Sequence, residues 1–232
     1  MKNIVLSLVV IALVAFGGYK FFNSRKDVDA GVPVPQVATS TIDTSAKKDM
    51  YIVDLSTSTI TWKGSFVSGA KSESGTIMLK SGEGKFENGM ITSGVFVIDM
   101  ASIKDAKGSA QLETHLKSDD FFNVVTYPEA KFELVSLTKA TAKDTFTAKG
   151  NLTIRDVTKE ISFPIVVVAN PDTRTLKASG KISFNRADFN VKYGSSSFFK
   201  GLGDKVIKDQ IDLTLNLITE PIEVSAPPSS IQ

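Results

Sequence analysis

Between residues 50 and 220 one pattern recurs: apolar side chains at every second position. Phe146, Ala148, Gly150, Leu152 and Ile154 alternate with Thr147, Lys149, Asn151, Thr153 and Arg155. Ile211, Leu213, Leu215 and Leu217 alternate with Asp212, Thr214 and Asn216, and Ala178, Gly180, Ile182 and Phe184 repeat the scheme. Ile60, Trp62, Gly64 and Phe66 do the same near the start. Period two places one face of a strand against a core and the other in water. Turn-forming residues fall between the runs, at Glu87-Asn88-Gly89, Ala142-Lys143-Asp144, Arg155-Asp156-Val157-Thr158 and Asn170-Pro171-Asp172. The runs predict about eight strands joined mostly by short hairpins. A meander of that many strands closes on itself to hide its edges. The expected fold is therefore all-β: a single antiparallel up-and-down barrel with a short helical insert.

The inward faces carry small residues at Gly64, Ala148, Gly150, Ala178 and Gly180. Taken singly, such glycines mark bulges or sharp coiling. As a set on inward faces they predict space, because a close-packed core does not waste volume and an eight-stranded barrel has room for one small ligand. Phe96, Ile98 and Met100 are ambiguous in orientation, since Val95 and Val97 make both faces of their strand apolar.

The helical insert lies between Ser109 and Val124, with Leu112 and Leu116 four apart on one face. Ser118 is placed to cap a second short turn, with Asp119 and Asp120 near its positive end. This segment is expected to cover one end of the barrel.

Residues 1–22 open with an apolar run, Ile4 to Phe16, extended by Gly17, Gly18 and Tyr19 and, past Lys20, by Phe21 and Phe22. That length suits a signal peptide or a membrane anchor. Lys20, Arg25 and Lys26 beyond it, and the lack of a turn-forming break before Gly17, favour the uncleaved anchor. On either reading the remainder leaves the cytoplasm. Residues 23–49 show no period of 2 or 3.6 and read as a disordered linker, and residues 221–232 as a flexible tail. The folded domain is expected over 50–220.

Composition narrows the chemistry. The chain has no Cys, which removes disulfides, thiol nucleophiles and cysteine metal sites, and a single His, which removes multi-imidazole metal centres. Neither a metal nor a cofactor is expected. Net charge is +2 overall, and a near-neutral domain offers no electrostatic footprint for nucleic acid. Nothing in the chain sets an oligomeric state. A Ser-His-Asp hydrolase would need His115, yet Gly194-Ser195-Ser196-Ser197-Phe198 lacks the closing glycine of a nucleophile elbow. Asp119 and Asp120, being adjacent, point in different directions and make a poor acid/base pair. Arg155-Asp156 and Arg186-Asp188 read as local pairs at turns. No catalytic residue is expected.

Three motifs then carry a family resemblance. His115-Leu116-Lys117-Ser118-Asp119-Asp120-Phe121-Phe122-Asn123-Val124, followed by Tyr127-Pro128 and Ala130-Lys131-Phe132, resembles a signature of the bacterial YceI-like family. Gly150 to Lys159 (GNLTIRDVTK) is similar to its strand–turn–strand motif, and Phe184-Asn185-Arg186-Ala187-Asp188-Phe189 with Tyr193-Gly194 to a third. The resemblance spans about residues 51–219. It implies a lipocalin-like barrel with an elongated apolar interior, and binding of a polyisoprenoid, an isoprenoid quinone-like molecule or a fatty-acid-like amphiphile. It also implies export to the periplasm or cell envelope. The amino-terminal segment and the linker stand outside the family pattern, the insert Ser195 to Lys208 looks peculiar to a subgroup, and Phe198 and Phe199 of that insert are candidates for the barrel mouth.

The candidate cavity set is Trp62, Phe66, Phe96, Phe132, Ala148, Gly150, Leu152, Gly180, Ile182, Phe184, Phe189 and Tyr193. His115 either pins the helical insert or touches a ligand head group. Two readings follow: a non-enzymatic binder of a lipid-like molecule, held at the membrane by residues 4–22 if these are uncleaved, or a scaffold domain with a packed interior. Joint replacement of Gly150 and Gly180 by Leu is expected to separate them.

Overall fold

The computed structural model describes residues 50–220, except Ala70, Asn88 and Gly89. The expectations for residues 1–22, 23–49 and 221–232, and for the turn at Asn88-Gly89, lie outside the described residues. The elements run β1 (Met50–Ile52), β2 (Thr59–Ser65), β3 (Ser72–Glu87), β4 (Met90–Asp105), α1 (Ala110–Lys117), β5 (Glu129–Lys139), β6 (Thr145–Ile154), β7 (Val157–Asn170), β8 (Thr175–Asn185) and β9 (Gln210–Ile218).

Strands β2 to β9 each pair antiparallel with their sequence neighbours, and β9 returns to β2 to close the ring. Strands β1 and β2 share one edge of β3, with Met50 opposite Lys85 and Ile60 opposite Ile77, while β4 takes the other edge. They are two pieces of one barrel strand, interrupted at 54–58. There the Asp54 carboxylate accepts from the Ser56 N–H and from the Ser56 and Thr57 hydroxyls. Eight strand positions therefore surround the interior. This is the closed up-and-down barrel that the alternation predicts.

The turns obey their residues. Arg155 and Asp156 both take positive φ, 51° and 57°, between the paired Ile154 and Val157. That is the backbone of a two-residue hairpin matched to strand twist. The register shifts between β3 and β4 near Thr76, Leu79 and Lys85, where the longest strands must coil around the barrel. Phe96, Ile98 and Met100 point inward, while Val95 faces solvent.

Helix α1 starts at Ser109, whose hydroxyl accepts from the Leu112 N–H. It is held to β4 by Glu113, which pairs with Lys104 at 3.0 Å and accepts from the Asp105 N–H at 3.1 Å. Asp105 accepts in turn from the Lys107 and Ser109 N–H groups. A second turn does follow Ser118, whose carbonyl accepts from the Phe121 and Asn123 N–H groups, but its side chain does not cap that turn. Ser118 ends α1, its N–H and hydroxyl both donating to the His115 carbonyl. Asp120 serves His115 rather than a helix start, at 3.0 Å from its Nε2.

Arg186 departs furthest from expectation. It is 1% exposed and opens a 3-10 turn, Arg186–Phe189. Its partner is the distant Asp209, at 3.3 Å, not the nearby Asp188. Its Nε, Nη1 and Nη2 donate to the carbonyls of Lys208, Val191 and Ile207. One guanidinium thus fastens both ends of the 191–208 segment to the barrel.

Candidate functional site

The barrel interior holds a cavity of about 650 Å³, within the range of small-molecule sites. The reason lies in the inward side chains. Ile77, Leu79, Phe96, Phe132, Leu134, Leu137, Ile161, Val167, Ala178, Phe184 and Leu213 all face inward, yet each is only partly buried. In a barrel packed solid these residues would lose nearly all their surface. They keep it because the space they border is empty, and it runs continuously from Tyr51, Leu176 and Thr219 to His115, Tyr193 and Lys205.

The sequence-predicted residues divide unevenly. Trp62, Phe66, Phe96, Phe132, Ala148, Leu152, Ile182, Phe184 and Tyr193 border the cavity, and so does His115. Gly150, Gly180 and Phe189 do not. A Cβ on Gly150 would collide with the Glu133 carbonyl and meet the Phe132 ring at 2.5 Å, and one on Gly180 would lie 2.9 Å from the Pro164 carbonyl. These glycines do not open space; they let a neighbouring strand and an aromatic ring approach. Gly84 and Gly94 give the same room to Tyr51. The empty volume comes instead from barrel girth, with small residues such as Gly64 and Ala178 on the wall. Phe189, 1% exposed, is locked edge-on to Phe184 at 5.6 Å, in a core with Met100, Ile103 and Ile154. Phe198 and Phe199 turn to solvent and do not border the cavity.

The two ends differ. At one, Tyr51 is buried with its hydroxyl on the Ser93 carbonyl at 3.0 Å, and burial pushes its phenol well above the ordinary value. At the other, the three family motifs meet. His115 stands edge-on to Phe121 (5.0 Å) and to Tyr193 (4.6 Å), and Phe121 lies 5.1 Å from Tyr193. Arg155, from the β6–β7 turn, donates to the carbonyls of Phe121 and Asn190 at 2.7 and 2.9 Å. His115 therefore both fastens the insert and borders the cavity.

The polar groups of this end are engaged with one another. Glu73 bridges Lys71 and Lys107, each at 2.9 Å, and these contacts, Lys71 first, hold its carboxyl below the usual range. Burial lowers the Arg186 guanidinium from its ordinary value, opposed by Asp209. The Trp62 indole donates to the Lys104 carbonyl at 3.2 Å. Asp105 Oδ1 is buried without a hydrogen-bond partner. Among the described residues no cluster of three metal-ligating side chains occurs.

Sequence reasoning missed Tyr51, Arg186 and the wall residues Leu213, Leu215 and Leu217. The last three were visible in their own alternation. Arg186 carried no local signal, because its partner lies 23 positions on.

The YceI-like domain model matches residues 51–219. A UPF0312 protein of Pseudomonas savastanoi pv. phaseolicola (strain 1448A / Race 6) is 34% identical over 111 residues, covering 42% of this chain and 53% of that protein. The chain spans about half the length, or less, of the curated relatives it matches. Among solved structures, Burkholderia cenocepacia BcnA aligns with a TM-score of 0.57 at 21% identity, covering 72% of this chain and 98% of that one. A polyisoprenoid binding domain from Saccharophagus degradans, implicated in plant cell wall breakdown, aligns with a TM-score of 0.57 at 16% identity, covering 74% and 98%. At these identities the two structures share the fold.

Proposed function

The chain belongs to the YceI-like domain family, and from that premise we propose that it is a non-enzymatic binder of one long apolar molecule, held lengthwise inside the barrel. The observation that carries this is the continuous cavity of about 650 Å³ walled by inward Phe, Leu and Ile side chains that keep accessible surface. A chain losing roughly 400 Å² of apolar surface there gains on the order of 10 kcal/mol before ordering costs, at about 25 cal/mol per Å². The polar groups cluster at one end, so an amphiphile would enter tail first and leave its head near His115 and Tyr193.

A polyisoprenoid is the ligand we favour, with isoprenoid quinone-like and fatty-acid-like molecules of the same shape as alternatives. The Saccharophagus degradans domain, named for polyisoprenoid binding, supports that order of preference. The apolar run at residues 4–22 supports a place outside the bacterial cytoplasm, exported to the periplasm or anchored at the membrane. The competing scaffold reading needs an interior filled by side chains, and the cavity argues against it.

The test is organic extraction of the full chain purified from its own membrane, followed by mass spectrometry. A prenyl or acyl chain near one per protein is the expected result. Extracts free of lipid, from protein that also takes up no added prenol, would overturn the proposal.

A further inference from the structure

The 191–208 segment and the β2–β3 turn are joined beside the polar end of the cavity. The Val67 N–H donates to the Val206 carbonyl at 2.9 Å, Phe66 bridges to Ile207, and the Ile207 N–H donates to the Gly194 carbonyl at 2.8 Å. Arg186 anchors the segment from beneath. Tyr193, Lys205 and Ile207 border the cavity, whereas Val67, Phe198 and Phe199 are 56%, 44% and 48% exposed. The backbone at this point asks for no aromatic residues: the Ser195 carbonyl accepts from the N–H of both 198 and 199, whatever their side chains. Two adjacent exposed phenylalanines beside a cavity opening therefore call for a surface that they enter.

Charge says which surface. Between residues 191 and 208 stand Lys192, Lys200, Lys205 and Lys208 against Asp204 alone, in a domain that is otherwise nearly balanced. Two flanking carboxylates already face cations, Glu73 with Lys71 and Lys107, and Asp209 with Arg186 and the hydroxyls of Ser195 and Ser197, while Asp120 shares a hydrogen bond with His115. The Lys192 ammonium lies 4.9 Å over the Phe198 ring. Exposed aromatics with one lysine over a ring and another next in sequence, lysine stems being able to lie along apolar surface while their heads stay in water, match the boundary between lipid headgroups and acyl chains.

We propose that this face docks on an anionic phospholipid surface. Phe198 and Phe199 enter the headgroup–acyl boundary, the lysines meet lipid phosphates, and the polar end of the cavity is turned toward the bilayer. The docking rests on exposure and charge and does not require an occupied cavity, so its failure and that of the ligand reading are separable.

The test uses the full chain carrying Phe199→Trp, with the parent chain, whose single tryptophan is Trp62, as background. The probes are phosphatidylcholine vesicles with or without phosphatidylglycerol, their acyl chains brominated to quench tryptophan at short range. The readout is local to position 199, so insertion of residues 4–22 alone does not produce it. With anionic vesicles at low salt the added emission shifts to the blue and is quenched. Each of Lys192→Gln and Lys200→Gln lowers the vesicle partition constant about fivefold, and high salt reverses the docking. Unchanged melting of Phe199→Trp shows that the barrel is intact. Three outcomes would overturn the proposal: no quenching on anionic vesicles; equal, salt-insensitive quenching on phosphatidylcholine alone; or a blue shift without lipid that grows with protein concentration and so assigns the patch to a second copy.

Discussion

Arg186→Met tests how the mouth of the barrel is held. The wild-type guanidinium makes three hydrogen bonds to carbonyls, at 2.9 to 3.2 Å, and faces Asp209 at 3.3 Å. Breaking a buried pair by removing one partner costs about 3–5 kcal/mol. Asp209 keeps the Ser195 and Ser197 hydroxyls, at 2.9 and 2.6 Å, so its stranded charge is partly satisfied. The carbonyls of Val191, Ile207 and Lys208 keep no such substitute. The expected loss is therefore about 3–4 kcal/mol. For a domain of this size each kcal/mol moves Tm by about 2–4 °C, so thermal denaturation followed by circular dichroism should show a drop of roughly 6–16 °C. Limited proteolysis should open the 191–208 segment first. Adding Asp209→Asn should recover part of the loss by removing the stranded charge. Arg186→Lys should recover less than half, since one ammonium cannot reproduce a planar fork. If Arg186→Met melts within about 2 °C of the parent, the clamp is not holding the segment and the reasoning fails.

Gly150→Ala should destabilise by about 1–3 kcal/mol, measured by urea denaturation, because its Cβ collides with the Glu133 carbonyl and the Phe132 ring. For the same reason the paired Gly150 and Gly180 replacement by Leu cannot separate a cavity from a packed core, since either interior would unfold. Ala178→Phe, on the cavity wall, should leave Tm nearly unchanged and lower prenol uptake in a lipid-binding titration. Asp105→Ala should lose about 1–3 kcal/mol by stranding the Lys107 and Ser109 N–H groups, read from the same urea midpoints. On acidification, Glu73 (held down by Lys71, then Lys107), Glu113 (by Lys104) and Asp212 (by Ser183, then Gln210) have folded values below their unfolded ones. Their contribution is present above the unfolded value and is lost as pH falls through the folded ones, below about pH 4. Glu113→Gln should flatten that acid limb of the Tm profile.

The barrel was legible because period two is a property of each strand by itself. Phe146 to Ile154 and Ile211 to Leu217 state which face is inward without reference to a neighbour. What a residue meets across strands is not written locally. Gly150 looks like missing volume in its own strand and becomes a seat for Phe132 only when β5 lies beside β6. Arg186 beside Asp188 looks like a surface pair, yet the chain buries it against Asp209 after a long excursion. Ser118, too, reads equally well as the start of one turn or the end of another. The strand β4 was opaque because Val95 and Val97 are as apolar as Phe96 and Ile98. Its direction is fixed by pairing with β3 and β5 rather than by pattern. The candidate site was mostly visible, since nine of its twelve proposed wall residues border the cavity, most of them on alternating inward faces.

The central claim is that an apolar chain occupies the barrel, and Trp62 is built to report it. It is the single tryptophan of the chain, it borders the cavity, and its indole is fixed by the Lys104 carbonyl at 3.2 Å. Delipidated full-length protein, titrated with a brominated long-chain prenol, should lose Trp62 emission saturably near one equivalent, and Ala178→Phe should weaken that loss. Emission that does not change, or that falls in proportion to added prenol without saturating, would contradict the account.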